Sequence, residues 1–266
     1  MSRIEYIDSD FASNGTSSNF SYQIIIPQNY NRCCVLSANI PKSFYLVDAP
    51  YNTFTLTINN ISQSYTFPIG NYSQITFFNQ FLTLVNTGGV IFSYQISSLT
   101  NMVTITATGG TFNSISFSNL SSLYRQFGFS FNSTTLATAN SLTTSYIGIF
   151  QLSNVVFLRS DLIINETSLV NTGILQSISS ANNPVLTSLS YQCTIDPRII
   201  GKAINPDKRL YNFFITDMDG FQLDLHGASV NFEILFYIDH NIDEMIKHKM
   251  LLDNMDEIIK GGIKKS

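Results

Sequence analysis

Charged side chains are scarce in this 266-residue chain: Lys, Arg, Asp and Glu make up 12% of it, against about a quarter in ordinary soluble domains. Between Phe11 and Ile195 the only ones are Arg32, Lys42, Asp48, Arg125, Arg159, Asp161 and Glu166. A surface so weakly charged repels its neighbours little, which favours close packing against other protein over life as a diffusing enzyme. Dense basic clusters are missing too, and with them the phosphate footprint of a specific nucleic-acid binder. Tryptophan is absent, and cysteine is limited to Cys33, Cys34 and Cys193. Adjacent strand residues face opposite ways, so Cys33 and Cys34 neither share a metal site nor pair easily. With an odd count and no visible signal peptide, the three are expected to be reduced, inert packing thiols in an intracellular compartment. No apolar run approaches the roughly 18 residues of a membrane helix. The first ten residues, with Arg3, Glu5, Asp8 and Asp10, lack the apolar core of a secretory signal.

What is present is 44% apolar and 13% aromatic, too hydrophobic for a disordered chain. Alternation with period two dominates and predicts half-buried strands, an all-β antiparallel architecture. Phe20, Tyr22, Ile24 and Ile26 share one strand face, and Arg32 to Ile40 form the next strand. Strands also follow at 44–47, 54–58, 64–67, 90–96, 102–107, 112–117, 146–152, 155–158, 162–164, 173–178, 185–195, 210–216, 221–225 and 229–238. A helix is predicted from about Gln74 to Val85, because Ile75, Phe78, Phe81, Leu82 and Val85 recur at helical spacing. A shorter helix covers 120–127, and the polar stretch Ser130 to Thr144 reads as a long surface loop.

The last segment differs in kind. Eleven of the acidic residues and eight of the basic ones lie after Ile200. Asn241-Ile-Asp-Glu244 has the form of a capping box. Beyond it, Ile242, Met245, Ile246, Leu252, Met255 and Ile259 make an apolar stripe, so residues 239–266 are expected as an amphipathic helical tail after a β domain at 1–238.

Catalytic patterns are not found. His226, His240 and His248 lack ligand spacing. Asp217-Met-Asp219-Gly220 resembles the opening of a calcium loop but lacks its later acidic ligands; Asp and Gly serve a tight turn directly. There is no G-x-S-x-G elbow and no phosphate-binding glycine pattern. Only Asp48, Asp161 and Glu166 offer carboxylates in the central region for glycan cleavage, which needs a close pair. No catalytic residue, cofactor or metal is therefore expected. The 13 Tyr and 21 Phe suit core and cross-strand packing, with a sugar- or base-stacking platform as the alternative.

The segment from Tyr211 to Phe236 runs strand, D-x-D-G turn (Asp217, Asp219, Gly220), an L-D-L-x-G link holding Asp224 and Gly227, and a final strand. It resembles the C-terminal part of jelly-roll penton, or minor capsid, proteins of virophages, Polinton-like viruses and related double-stranded DNA viruses. Ile40-Pro-Lys-Ser-Phe-Tyr45 with Asn52 and Phe54, and Pro68-Ile-Gly70-Asn-Tyr-Ser73 leading into a helix, are similar to that family's early steps. The chain departs from it at His226, where Asn is expected, and in its helical tail. The resemblance implies a jelly-roll sandwich with neighbouring first and last strands, Ser21–Ile26 and Ser229–Ile238, and a β-rich insertion at about 52–129. It also implies a virion structural protein assembled in the host cell, catalysing no reaction and packing as a homo-pentamer at capsid vertices against the major capsid protein. The tail would dock on a neighbouring capsid protein, a tape-like minor protein or an internal membrane, or else on its own sandwich. A receptor- or carbohydrate-binding sandwich is the second reading and a glycan-cleaving enzyme the third.

Overall fold

Strands from both ends of the chain are woven into one sandwich, while the strands between them form separate sheets of their own. The computed structural model describes residues 2–27, 30–86, 89–164, 173–181, 183–184, 186–206 and 208–239. The helical tail expected from Ile242, Met245, Ile246, Leu252, Met255 and Ile259 lies outside these, as do Glu166, His240 and His248. In chain order the strands are β1 (Ser2–Asp8), β2 (Asn14–Thr16), β3 (Asn19–Gln23), β4 (Arg32–Pro41), β5 (Thr53–Ile58), β6 (Ile61–Thr66), β7 (Ile91–Ile96), β8 (Val103–Thr108) and β9 (Phe112–Ser116). There follow β10 (Thr134–Leu136), β11 (Ser141–Thr143), β12 (Val155–Ser160), β13 (Ile174–Ser179), β14 (Ser188–Gln192), β15 (Lys202–Ala203), β16 (Leu210–Thr216) and β17 (Asn231–Tyr237). Helices are few: α1 (Gln74–Val85), α2 (Tyr124–Phe127) and α3 (Pro197–Ile200). Among the described residues no helix is long and apolar enough to cross a membrane.

One sheet of the sandwich runs β1-β17-β4-β14, with β15 also on β4, and the other runs β13-β12-β16-β3-β2. Every pairing is antiparallel, so the fold is all-β and antiparallel, as the alternation predicted, and its sandwich is consistent with the jelly roll that the resemblance implies. Tyr211, Phe213 and Ile215 alternate inward from β16, and Phe232, Ile234 and Phe236 from β17. Their rings meet across the core: Phe213 lies 5.2 Å from Phe232 and 5.6 Å from Phe20. β4 bulges at Leu36, since Ser37 pairs with Glu233 but Val35 with Ile234. The inward positions therefore switch phase, from Cys33 and Val35 to Ala38 and Ile40.

Two sequence expectations change here. The strands beside β17 are β1 and β4, not the strand at Phe20, which sits in the opposite sheet with its ring 6.5 Å from that of Phe232. The strands expected at 44–47, 146–152, 162–164 and 221–225 do not form. Their backbone groups find single partners instead: Leu46 N–H donates to Asn71 Oδ1 (2.9 Å), Tyr146 N–H to the Gly128 carbonyl, and Gln222 makes one bridge with Thr216. Alternating apolar residues suit a strand only where a partner strand lies alongside.

A second unit holds β10-β9-β5-β6, β11-β8-β7, α1 and α2 around its own hydrophobic cluster. β10 and β11 fall in the stretch expected as loop; their few large side chains hide a strand signal, and Ala139 and Asn140 turn between them with positive φ. Helix α1 has the expected bounds. Ser73 and Thr76 form its capping box, and Phe77, Phe78, Phe81 and Val85 are buried while Ile75 is exposed. Phe127 of α2 is the hub, with its ring 4.9 to 5.8 Å from those of Phe54, Phe77, Phe78, Phe81 and Phe117.

Candidate functional site

The junction between the two units brings together Asp48, Arg125, Asp217, Asp219, Asp224 and His226. β16 ends at Thr216, and the next carboxylate folds the chain back. Asp217 Oδ1 accepts from the N–H groups of Asp219 (3.0 Å) and Phe221 (2.9 Å), while Gly220 takes the left-handed conformation (φ +86°) that glycine adopts without a steric penalty. The Asp-x-Asp-Gly turn thereby aims Asp217 Oδ2 at α2, where Arg125 Nη1 donates to it at 2.7 Å. The other arm of the guanidinium pairs with Asp219. Tyr124 Oη donates to Asp219 Oδ2 (3.1 Å) and accepts from Arg125 Nε (3.2 Å). The guanidinium also lies 5.1 Å from the Phe221 ring centroid. Burial, the largest single effect, lowers the Arg125 pKa, but the charge and hydrogen bond of Asp217 together with Tyr124 outweigh it and hold the group above its ordinary value.

The L-D-L-x-G link builds the neighbouring wall. Asp224 Oδ1 accepts from the His226 N–H (2.8 Å), and both His226 (φ +51°) and Gly227 (φ +80°) are left-handed. Asn is among the side chains best suited to that conformation, which accounts for the family expectation at 226. The His226 ring packs 4.5 Å from that of Tyr45, with Nε2 3.3 Å from Asp48 Oδ2 and Nδ1 3.8 Å from Asp224 Oδ2. Asp48, Asp224 and His226 are the described residues whose ligand-type atoms lie together, within 4.8 Å. Each imidazole nitrogen faces a different carboxylate. Burial raises the Asp48 pKa, and His226 opposes it. Sequence reasoning missed this group because position 48 stands so far from 224 along the chain.

Between these walls lies a cleft of about 330 Å³, lined among others by Tyr45, Asp48, Tyr51, Arg125, Asp219 and Phe221. Gln126, buried in the same wall, donates to the Ile149 carbonyl (3.3 Å) while its Oε1 has no donor.

Lys42 and Asp161 are tied within the fold. Lys42 is buried, and its Nζ donates to the carbonyls of Ser180 (2.8 Å) and Asn183 (2.5 Å). Asp161 accepts from Lys208 Nζ (2.9 Å), Asn212 N–H (2.8 Å) and Asn212 Nδ2 (3.0 Å). Ser43 donates to the Leu225 carbonyl (2.7 Å), and Asn52 to that of Phe67 (2.6 Å), so the family-like segments act as ties. Cys33 lies in the sandwich core; burial pushes its thiol up, and that of Cys34 up to about 11. Both stay protonated near neutrality and are poor nucleophiles.

No known protein family and no curated protein sequence matches the chain. Among solved structures it is similar to the selenomethionine-labelled mavirus penton protein: 13% sequence identity, 89% of this chain and 99% of that one covered, TM-score 0.38. The antiparallel sandwich itself stands on the strand pairings described above.

Proposed function

We propose that this chain is a structural virion protein, a penton or minor capsid subunit that acts by assembly as a homo-pentamer beside a major capsid protein at capsid vertices. The observation that carries the reading is where its few central charges go. Lys42, Arg125 and Asp161 are tied to partners within the chain, and Arg159 donates to Thr216 Oγ1 at 2.8 Å. The surface left to the central region is polar, nearly neutral and dotted with exposed Tyr146, Ile147 and Ile149. Covering such a surface with a neighbour desolvates little charge. The resemblance of residues 40–54, 68–73 and 211–236 to the penton family supports the same role. In this reading the second unit is the family's insertion, expected at about 52–129 and here extended to β11, and the tail after Asp239 tethers the subunit to a neighbouring protein or an internal membrane.

Ring closure between identical subunits needs head-to-tail contacts of about 1,000 Å² or more. Purified full-length protein is expected to give fivefold particles by negative-stain microscopy and a matching mass by light scattering. A strict monomer at high concentration overturns the proposal. Removing residues 240–266 tests the tether, since unchanged incorporation into particles rules it out.

A receptor- or carbohydrate-binding sandwich is favoured by the cleft and its aromatic walls, and micromolar or tighter retention on a glycan array would select it. The same cleft is lined by Asp48, Asp217 and Asp219, and glycan cleavage needs a pair of carboxylates. Two of them, Asp217 and Asp219, are clamped by Arg125, and Asp217 Oδ1 already takes two backbone N–H groups. That pattern belongs to a fastening and not to a general acid with its base.

A further inference from the structure

We propose that copies of this chain join head to tail by continuing one sheet across their contact, the free edge of β6 in one copy pairing with the free edge of β10 in the next. The inference rests on the self-assembly reading and names the surface that carries it. Asn59 and Asn60, both at positive φ, connect β5 to β6, and Ile58 opposite Ile61 closes the turn. The pair that closes such a hairpin is hydrogen-bonded, and bonded pairs then alternate with unbonded ones. Gln63 and Tyr65 therefore bond to β5, while the N–H and C=O groups of Ser62, Ser64 and Thr66 point out along the open edge. No described residue takes up these backbone groups, and β6 holds no charge, no proline and no bulge. The other long edge strands of the described sheets are guarded. On β7, the Asn86 side chain accepts from the Phe92 N–H (2.6 Å) and donates to the Phe92 carbonyl (3.0 Å). Gln176 Nε2 covers the Ser177 carbonyl of β13 (2.9 Å), and Asn183 Nδ2 the Ser188 carbonyl of β14 (3.0 Å). β1 carries Arg3, Glu5 and Asp8. Charges and covered backbone groups keep sheet edges from pairing; β6 has neither.

What fits an open backbone edge is another extended strand, and β10 is the opposite edge of the same sheet. Ser133 accepts from the Phe117 N–H and Ala137 donates to the Asn113 carbonyl, so the backbone groups of Thr134 and Leu136 between them face outward. β10 is also without charge, and identical copies meet there with no like-charge repulsion and no ion to desolvate. Along β10-β9-β5-β6 every neighbour is antiparallel. β6 thus runs opposite to β10, and a second copy placed beside it in the same orientation continues the alternation. Two different edges make the contact heterologous, the kind that closes a ring of five.

Hydrogen exchange and light scattering on the full-length protein test it. The amides of Ser62, Ser64, Thr66 and Leu136 are expected to exchange slowly in the assembled protein, as paired strand amides do. Ser64→Pro and Thr134→Pro each remove an outward donor that no bond within the chain uses, and each is expected to give a monomer with native circular dichroism. An equal mixture of the two is expected to form heterodimers, because each keeps the edge the other has lost. Ser64→Lys and Thr134→Lys keep every backbone group and are expected to weaken association at least about tenfold; they decide the matter if a proline variant does not fold. Fast exchange at Ser64 and Thr66 in the assembled protein, or particles unchanged in natively folded Ser64→Pro or in Ser64→Lys, overturns the inference and leaves the assembly reading standing. Dimers formed by Thr134→Pro alone show β6 pairing with itself and overturn it as well. A wild type that stays monomeric at high concentration overturns both.

Discussion

Arg125 reaches from α2 to the turn after β16, where its side chain is 18% exposed and that of Asp217 only 6%. A buried pair of this kind is weak evidence for net stability, but breaking it leaves an uncompensated charge. Arg125→Ala is expected to cost about 3–5 kcal/mol in urea unfolding, and Arg125→Lys less, because it keeps the charge and loses the fork. The turn was legible in Asp217-Met-Asp219-Gly220; its partner, 92 residues earlier, was not, because nothing local marks which surface Arg the fold will bring there. A second expectation at this scale concerns alkaline pH. Burial pushes Tyr191 and Tyr237 up to about 12 and Cys34 up to about 11. The folded chain thus keeps protons that the unfolded chain releases near its ordinary values, about 9 for Cys and 10 for Tyr. Their contribution is complete below pH 9 and is lost as pH rises toward 12. Lys42, lowered by burial, works in the opposite sense. The urea midpoint is expected to fall between pH 9 and 12, with tyrosine absorbance near 295 nm rising late and together with unfolding.

Among the elements, α1 was the most legible, because an apolar stripe marked its span, although Ile75 of that stripe is exposed and Phe77, outside it, is buried. Ser73→Ala removes one half of the capping box and is expected to cost about 1 kcal/mol. Phe127→Ala empties the centre of the aromatic cluster and is expected to cost about 3–5 kcal/mol, read as a lower thermal midpoint. Strands with strong alternation, such as Leu210–Thr216, were equally plain. β10 and β11 were not, since Thr134–Leu136 and Ser141–Thr143 carry one large apolar residue each and depend on β9 and β8 for their pairing. β1 was missed for a related reason. Its outward face carries exposed Ile4 and Tyr6, while Ile7 is its one fully buried side chain, so it lacks the periodic buried face that marks a strand.

At the scale of the whole molecule, composition already pointed to an antiparallel β architecture with a surface suited to being covered. The division into two hydrophobic clusters was only partly visible, because both are built from the same alternating residues and nothing in the composition separates them. The edge positions matter for assembly. β1 covers one side of β17 through seven paired residues. Its removal would expose a long apolar strand edge, a template for uncontrolled pairing. A chain lacking residues 2–8 is expected to aggregate on refolding at concentrations where the full chain stays in solution, measured by light scattering.

The pairing of β1 with β17 also sets an order of events on the ribosome. The second unit draws all its sheets from residues 53–143, so its contacts can close while the rest of the chain is still being made. The first sheet must wait, with its earliest strand unpaired, until its last strand has left the exit tunnel. For that interval the nascent polypeptide carries an open edge, and a slowly translated or truncated message would leave it in the state most inclined to join another copy wrongly.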